Sequence, residues 1–219
     1  MCVVRGSDGA ILADADLPPT PGNMRMWDFS AESAQLFSES GTDIIVREWL
    51  NGGGIGRNLW AFDADLNLHW HRTLEGAAFG HHWAVAFCDI DGDGRDEILA
   101  GGTLFSADGS VLWVHDREPE MYDAGEHYDA VAFGNLSGQE DTDPAALLVA
   151  SSMGVYVIDA VTGRTRAVHR MGHAQGRTIA NLCPDRYGTE VLIHTRWENY
   201  GIFSLFSAHG DRLWTRQPT

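Results

Sequence analysis

Three segments of the chain repeat at one fixed spacing, and this repeat limits the possible folds more than any other feature of the sequence. The segments begin at His81, His127 and His173 and align without gaps, so 46 residues separate each from the next. Self-similarity with a period of about 20 to 50 residues is typical of solenoids, propellers and other repeat architectures. The chain is therefore expected to consist of repeated supersecondary units.

A second signature closes each repeated unit. It combines a turn-forming segment with a short run that ends in tryptophan, and copies occur at residues 63–70, 106–113 and 207–214. A weaker copy lies at residues 159–166, and a fragment lies at residues 6–13. The unit with the clearest copy contains four β-like runs, at residues 84–88, 97–101, 103–106 and 110–114. Asp-Gly at 108–109 is a hairpin turn signal between the last two runs.

Four short strands in every unit of about 40 to 50 residues predict an all-β fold, a β-propeller of four-stranded blades. Complete blades are expected at residues 23–72, 79–117, 126–170 and 172–217, and residues 1–16 are expected to form the last hairpin of another blade. The pattern otherwise allows one helical turn around residues 30–37.

The blade count has a consequence for the edges of the sheets. An open blade leaves strand edges unpaired, so propellers usually close into a ring. We therefore expect residues 1–219 to be a single partial propeller, either part of a roughly seven- or eight-bladed ring or self-associating through its open blade edges.

Residues 89–97 read Asp-Ile-Asp-Gly-Asp-Gly-Arg-Asp-Glu and predict a structural Ca²⁺ site. Alternating carboxylates in such a loop converge on one centre, and a hard cation takes about six to eight oxygen ligands. A backbone carbonyl at the seventh position and a carboxylate at the ninth complete the set. The predicted ligands are Asp89, Asp91, Asp93, Arg95 and Glu97. The alternative is an acidic turn that binds no metal.

The net charge of −16 argues against nucleic-acid and anionic-membrane partners, because no basic patch can dominate the surface. No apolar run approaches the roughly 18 residues of a membrane-spanning helix, so membrane insertion is not expected. The opening residues, Met-Cys-Val-Val-Arg-Gly, do not read as a signal peptide. They predict a cytoplasmic protein as the sequence stands, or a secreted one if the N-terminus is truncated.

The acidic loop resembles the Asp-x-Asp-x-Asp-Gly-x-x-Asp/Glu repeats of integrin-type (FG-GAP/VCBS-like) propellers. Further segments, at residues 49–54, 58–63, 172–175 and 196–201, resemble the rhamnogalacturonan, rhamnose–glucuronate and ulvan types of polysaccharide lyase. This resemblance implies β-elimination on an acidic, rhamnose-containing polysaccharide or oligosaccharide. It also implies that a histidine pair acts together with a tyrosine and an arginine.

The strand order predicts which residues share a face. The repeated histidines precede the inner strand of each blade and should surround one mouth of the central channel, whereas the calcium loop lies at the other end of that strand. Turns between the second and third strands return to the histidine face. The candidates for catalysis are His173, His194, Arg196, His81, His127 and Tyr128, with His173 and His194 as the preferred pair. The candidates for substrate binding are Arg47, Trp49, Trp197 and Tyr200.

These residue types suit the chemistry of a uronate lyase. An arginine such as Arg196 or Arg47 can neutralise the substrate carboxylate, and a histidine or tyrosine can move a proton. Other readings stay open, because a histidine that recurs in every blade can instead bond a neighbouring loop. The chain could then be a non-catalytic, calcium-stabilised propeller that binds carbohydrate or protein, or a truncated and inactive relative.

Overall fold

The computed structural model describes most of the chain, in segments separated by short gaps. The described residues are 1–16, 29–37, 42–48, 50–51, 54–55, 58–74, 81–82, 85–115, 127–137, 144–150, 154–196 and 201–217. They form strands, turns and bends, with no helix among them. Accordingly, the described part of the chain offers no helix with the length and apolar character needed to span a membrane.

The chain begins with a hairpin and continues into the first four-stranded sheet. The hairpin pairs β1 (Cys2–Val4) with β2 (Ile11–Asp14) in antiparallel fashion. The sheet, called blade 1, is antiparallel, with a small ribbon of β5 (Leu50–Asn51) and β6 (Gly54–Ile55) inserted between its second and third strands. Its own strands are β3 (Phe29–Ala34), β4 (Asp43–Glu48), β7 (Asn58–Phe62) and β8 (Leu68–Thr73).

Three further sheets follow with the same meander topology. A short strand, β9 (His81–His82), precedes the second sheet in the chain. Blade 2 comprises β10 (Val85–Cys88), β11 (Glu97–Ala100), β12 (Thr103–Phe105) and β13 (Val111–Val114). Blade 3 comprises β14 (His127–Asn135), β15 (Pro144–Ala150), β16 (Gly154–Asp159) and β17 (Thr165–Arg170). Blade 4 comprises β18 (Ala174–Ala180), β19 (Glu190–Thr195), β20 (Phe203–Phe206) and β21 (Arg212–Arg216).

Blades 2 and 3 are buried on both faces, because a neighbouring blade packs against each side of them. The alternation along β15 makes this visible. Leu148 belongs to a core cluster with Leu104 and Trp113 of blade 2, whereas Leu147 belongs to a cluster with Ile193 of blade 4. Side chains of a strand point alternately to the two faces of its sheet, so one strand supplies both interfaces. The prediction of an all-β propeller with four-stranded blades is confirmed.

The possible helical turn around residues 30–37 was wrong. Phe29–Ala34 is an extended strand that pairs in unbroken register with Asp43–Glu48. Local propensity allowed a turn of helix there, but pairing with β4 satisfies the backbone groups of this segment along its whole length. Ala34 and Leu36 are buried in the cluster between blades 1 and 2.

Candidate functional site

The acidic loop connects β10 to β11 and brings three carboxylates together. Ligand oxygens of Asp89, Asp91 and Glu97 lie within 4.8 Å of one another. Backbone amides hold the loop in shape: Asp89 Oδ1 accepts a hydrogen bond from Gly92 N at 2.7 Å, and Asp89 Oδ2 accepts one from Gly94 N at 2.9 Å. The three converging carboxylates, which the backbone amides of a tight turn hold in place, offer the oxygen ligands that a hard cation prefers. The residues of the loop therefore fit Ca²⁺.

Two of the predicted calcium ligands lie outside this group of three carboxylates. Asp93 accepts a hydrogen bond from Arg95 N at 2.8 Å through its Oδ1 atom. Asp93 and Arg95 are both exposed at the outer part of the loop. Their assignment as ligands stays a prediction.

Glu97 differs from the other carboxylates of the loop because it is buried, with 5% of its surface exposed. Its Oε2 atom accepts a hydrogen bond from Ile90 N at 2.8 Å. Burial raises the pKa of Glu97, and the negative charges of Asp91 and Asp89 raise it further, against the lowering effect of the Ile90 amide. A cation at this point would relieve the repulsion among the carboxylates.

This electrostatic arrangement predicts how metal-free protein responds to pH. A carboxylic acid whose pKa is raised by folding contributes stability below its unfolded pKa, and that contribution is lost as the pH rises through the folded pKa. Glu97→Gln removes the charge and keeps an acceptor for Ile90 N. In excess chelator, we expect the variant to gain stability relative to the wild type as the pH rises above about 4.3. Urea unfolding curves across the acidic-to-neutral range measure this difference, and a variant that loses stability relative to wild type over that range would contradict it.

The contact that Glu97 makes with its loop recurs in two other blades. Glu190 starts β19 and accepts hydrogen bonds from Leu182 N and Cys183 N, each at 2.9 Å. Asp43 starts β4 and accepts from Leu36 N at 2.8 Å. A carboxylate at the start of the second strand therefore fastens the preceding loop whether or not that loop is acidic. Glu97 has this structural role in addition to its predicted role as a ligand.

At the other end of the inner strands, the histidine segments of blades 2 and 3 lie side by side. His81 and His82 form a short parallel pairing with β14, in the register His127↔His81 and Tyr128↔His82. The backbone thus places two of the three repeated histidines next to each other, at the start of the first strand of blade 3. The side chains of these two histidines lie outside the described residues.

His173 is the repeated histidine whose contacts are described. Its Nε2 atom lies 3.1 Å from Oδ2 of Asp129, a residue of β14 whose side chain is 6% exposed. The His173 side chain is 20% exposed. Asp129 is the hydrogen-bond partner of the ring among the described residues, and it belongs to the neighbouring blade. Asp129 was missed by sequence reasoning, although it stands two residues after His127 in the repeat.

Arg196 lies next to this pair, and Arg177 lies four residues after His173 in the chain. Arg196 N donates a hydrogen bond to the backbone oxygen of His173 at 2.9 Å. Arg196 is exposed and lies beside His173, directly after the end of β19. Arg177 lies on β18 and reaches β14, where its NH2 atom donates to Val131 O at 2.6 Å. Burial lowers the pKa of Arg177, and no carboxylate contacts its guanidinium within the described part of the chain. Arg177 was also missed by sequence reasoning, because nothing in the local pattern separates it from a surface strand residue.

His194 does not pair with His173. His194 is exposed on β19 and lies opposite Gly176 in the register. Its ring occupies the space that a side chain at Gly176 would need. The ring also lies 6.0 Å from that of Phe203, in a tilted arrangement. The residue that the register and backbone hydrogen bonds bring to His173 is Arg196. The preferred pair of the sequence analysis thus shares a blade without a hydrogen bond between the two rings.

Tyr128 lies in the packed interface between blades 2 and 3. It is 1% exposed, its hydroxyl lies 2.9 Å from His115 Nδ1, and its ring packs against Gly102. This position favours a packing role over contact with a substrate, although the catalytic assignment itself stays a prediction.

Arg47 is also largely buried. It is 9% exposed, and its Nε atom lies 3.4 Å from Glu32 Oε1. Burial lowers its pKa, and the charge of Glu32 opposes that change. The remaining candidates for substrate binding, Trp49, Trp197 and Tyr200, lie outside the described residues.

A cavity of about 470 Å³ lies on the calcium-loop side of the sheets, between blades 2 and 3. Its lining includes Phe87, Cys88, Asp91, Phe133 and Asn135. Burial raises the pKa of Cys88, and the charges of nearby carboxylates raise it further, so the thiol stays protonated at neutral pH. The cavity lies at the opposite end of β14 from Asp129, and therefore does not include the His173–Asp129 pair.

A family model and two relatives of known name match the sequence of this chain. The family model for "Rhamnogalacturonan lyase family 11, C-terminal domain" matches residues 41–219. The chain is 25% identical over 247 residues to the rhamnogalacturonan exolyase YesX of Bacillus subtilis (strain 168), covering 100% of this chain and 37% of YesX. It is 27% identical over 248 residues to the rhamnogalacturonan endolyase YesW of the same organism, covering 100% of this chain and 36% of YesW.

Solved structures agree at the level of the fold. The crystal structure of YesX aligns with a TM-score of 0.74 and 22% identity, over 98% of this chain and 37% of that chain. The Dos1 propeller aligns with a TM-score of 0.54 and 12% identity, over 81% of this chain and 44% of that chain. The chain thus spans little more than a third of the length of the two lyases it matches.

Proposed function

The chain belongs to the family of rhamnogalacturonan lyase family 11 C-terminal domains, and we propose from this membership that it contributes to β-elimination on an acidic, rhamnose-containing glycan. The observation that carries the proposal is the His173–Asp129 pair, which joins two blades at the histidine end of their inner strands. The glycan would lie over this end of blades 3 and 4, called here the His173 mouth and defined by Asp129, His173, Arg177 and Arg196.

His173 is the proposed proton-transfer residue. A neutral His173 that donates from Nε2 to Asp129 keeps Nδ1 as an acceptor, and the carboxylate orients the ring and stabilises the imidazolium that forms when Nδ1 takes a proton. β-Elimination on a uronate removes the carbon-bound proton next to the carboxylate, and the electron pair of that bond forms a carbon–carbon double bond as the glycosidic oxygen leaves and takes a proton from water. A positioned general base contributes about 10² to 10⁴ in rate to such a step.

The two arginines are the proposed groups for the uronate carboxylate. Arg177 is half-buried and carries its charge without a carboxylate partner among the described residues, so an incoming anion would not have to displace one. Arg196 is exposed and starts next to His173. Guanidinium groups bind carboxylates with two parallel hydrogen bonds, and charge-assisted bonds of this kind are about twice as strong as neutral ones.

The test is incubation of the protein with rhamnogalacturonan while the ultraviolet absorbance of the unsaturated uronate product is followed. We expect His173→Ala to lower the rate by about 100-fold or more, because the general base is lost. His209→Ala is the matched control, since His209 is an exposed histidine in the outer hairpin of the same blade, stacked on Tyr187. Equal rates for His173→Ala and His209→Ala would show that His173 is not the general base.

A non-catalytic role is the second candidate function. The observation that favours it is the burial of Tyr128, the one tyrosine among the proposed catalytic residues. Tyr128 packs between blades and its hydroxyl lies within hydrogen-bond distance of His115. A chain of this kind would bind the glycan without releasing an unsaturated product. Calorimetric binding that is weakened by Arg177→Gln, together with no product from the wild type, would favour this candidate over the first.

We also propose Ca²⁺ as a structural ion at the acidic loop, with Asp89, Asp91 and Glu97 as its carboxylate ligands. The support is the convergence of three carboxylates and the raised pKa of Glu97. The loop follows the end of β10, whereas the His173 mouth lies where inner strands begin, so this ion would supply stability and take no part in proton transfer.

A further inference from the structure

The first two interfaces between blades are each filled by a tryptophan. Trp70 of blade 1 donates from Nε1 to Ala107 O of blade 2 at 2.8 Å, and Trp113 of blade 2 donates to Ala160 O of blade 3 at 2.9 Å. Each indole lies against a glycine in the outer turn of the next blade. A large aromatic ring and a direct hydrogen bond therefore join the blades at both interfaces.

The interface between blades 3 and 4 has a small residue at the same position. That position lies on the outer strand directly after a shift in the pairing register, where Trp70 is found in blade 1 and Ala167 in blade 3. A Cβ atom added at Gly210, in the outer turn of blade 4, would stand 3.1 Å from the Cβ atom of Ala167. An alanine thus takes the place of the indole, and another side chain has to supply the aromatic contact.

His169, two residues further along β17, supplies that contact. Its ring stacks on the ring of Phe206 in blade 4, with the centroids 4.0 Å apart and the planes inclined by 26°. Its Nε2 atom would lie 3.5 Å from a Cβ atom added at Gly210, so the ring also faces the outer turn of blade 4. Nε2 is buried and has no hydrogen-bond partner within the described part of the chain. A titratable ring therefore fills this interface with one nitrogen shut off from acceptors.

The residues at the position of His169 in blades 1 and 2 do have hydrogen-bond partners. Arg72 donates from Nε to a backbone oxygen in the outer turn of blade 2 at 2.7 Å. The two ring nitrogens of His115 lie 2.9 Å from the Tyr128 hydroxyl and 3.0 Å from the Thr165 hydroxyl. Since a hydroxyl accepts as well as donates, His115 can carry a proton on both nitrogens. Among these three residues, His169 is the one that protonation leaves with an unpaired buried donor.

The charges around His169 also act on its protonation. Asp211 and Arg212, on the outer turn and outer strand of blade 4, are the charged groups that face the ring, whereas β16 and β20 present Val155 and Phe206. Burial lowers the pKa of His169, and the charge of Arg212 lowers it further. The charge of Asp211 and the attraction of a cation to an aromatic face act in the opposite direction without reversing the result.

We propose that protonation of His169 releases blade 4 from blade 3, so that the interface between these two blades is a pH-sensitive switch. While the blades are docked, the ring is held neutral. When they part, the ring is solvated and takes a proton at the ordinary pKa of a histidine, about 6.5. Docking is therefore strongest above this pH, and it weakens as the pH falls from the pKa of the open state towards the lower pKa of the docked state.

The switch would act on the His173 mouth, because the mouth is built across the same interface. The contact of His173 with Asp129 and the hydrogen bond from Arg177 to Val131 O both join blade 4 to blade 3. Parting of the blades would separate His173 from Asp129 and slow elimination in acid. This consequence rests on the proposed function, whereas the change in docking is measured without a glycan and stands or falls separately.

The experiment is hydrogen exchange on the whole chain, followed at the Thr189 amide, which donates to Leu136 O across the interface at 3.1 Å. After correction for the intrinsic exchange rate, the exchange of this amide reports how often the blades part. One proton taken up on opening changes the opening constant by at most tenfold per pH unit. We therefore expect the constant of the wild type to rise by about threefold or more between about pH 7.5 and about pH 5.5.

Two variants show whether His169 is the group responsible. His169→Phe keeps a ring that can stack on Phe206 and cannot take a proton, so we expect most of the rise to disappear. His209→Gln changes an exposed histidine in the adjoining outer turn and is expected to leave the rise intact. The remaining titrating groups are the same in the wild type and in His169→Phe, so the difference between their pH profiles isolates His169.

A titration of the wild-type imidazoles by NMR gives a second measurement that does not depend on the folding of a variant. We expect the His169 ring to titrate below about 6.5, the value of a histidine in an unfolded peptide. A wild-type opening constant that does not change with pH, a rise that persists in His169→Phe, or a His169 ring that titrates above this value would each overturn the proposal.

Discussion

Replacement of Trp113 by alanine is expected to destabilise the chain by about 3–5 kcal/mol, the usual cost of truncating a buried tryptophan. The indole is 9% exposed and lies in the core cluster between blades 2 and 3 together with Leu104 and Tyr156. Truncation also leaves Ala160 O without the donor that now lies 2.9 Å away. Urea unfolding monitored by circular dichroism measures the loss, in calcium-saturated protein so that the loop is held constant.

Leu112→Ala is the matched control for this prediction. Leu112 is the preceding residue on β13 and is 53% exposed, so its truncation is expected to change stability by less than about 0.5 kcal/mol. If Trp113→Ala fails to fold, Trp113→Phe keeps an aromatic ring and loses the hydrogen bond, and a loss of about 1 to 3 kcal/mol is expected instead. Equal effects of the Trp113 and Leu112 substitutions would show that the interface between these blades contributes little.

Removal of calcium is expected to lower the thermal midpoint by about 5 to 10 °C. A ligand that binds the folded state alone adds about 2.7 kcal/mol when its free concentration is 100 times Kd, and 1 kcal/mol corresponds to about 2 to 4 °C in a chain of this size. The reason is the cluster of Asp89, Asp91 and Glu97, whose like charges repel one another in the metal-free protein. Differential scanning calorimetry with and without a chelator measures the shift.

Charge-neutral variants separate this effect from a general influence of salt. Asp91→Asn removes one carboxylate from the cluster and is expected to abolish most of the calcium response. Asp185→Asn changes an exposed carboxylate in the corresponding loop of blade 4 and is expected to leave the response intact. A midpoint that does not depend on calcium in the wild type, or that depends on it equally in Asp91→Asn, would contradict the calcium assignment.

Much of the fold was accessible from the sequence because its determinants are local. The strands of blade 2 begin and end within one residue of the runs read from the sequence, at Val85–Cys88, Glu97–Ala100, Thr103–Phe105 and Val111–Val114. Turn residues and apolar runs lie within a few positions of each other, so a linear pattern can report them. The exception was Phe29–Ala34, where pairing with a strand several residues away decided between a turn of helix and an extended segment.

The candidate sites likewise differ in whether their determinants are local in the sequence or depend on tertiary structure. The sequence by itself determined the 46-residue repeat, the all-β blades and the carboxylate cluster at residues 89–97, since all three clustered carboxylates belong to one nine-residue loop. The tertiary structure alone decided that His173 meets Asp129 of the next blade, 44 residues away, and that Tyr128 turns into the packing between blades.

The tryptophans show the same limit most clearly. Trp113 and Trp214 occupy the same position in the repeat, so the local sequence pattern does not distinguish them. One is covered by the turn of the next blade and the other is 38% exposed, because burial depends on a neighbouring sheet that the local pattern does not specify. A repeat determines the shape of each unit, whereas contacts between units depend on how two sheets pack face to face.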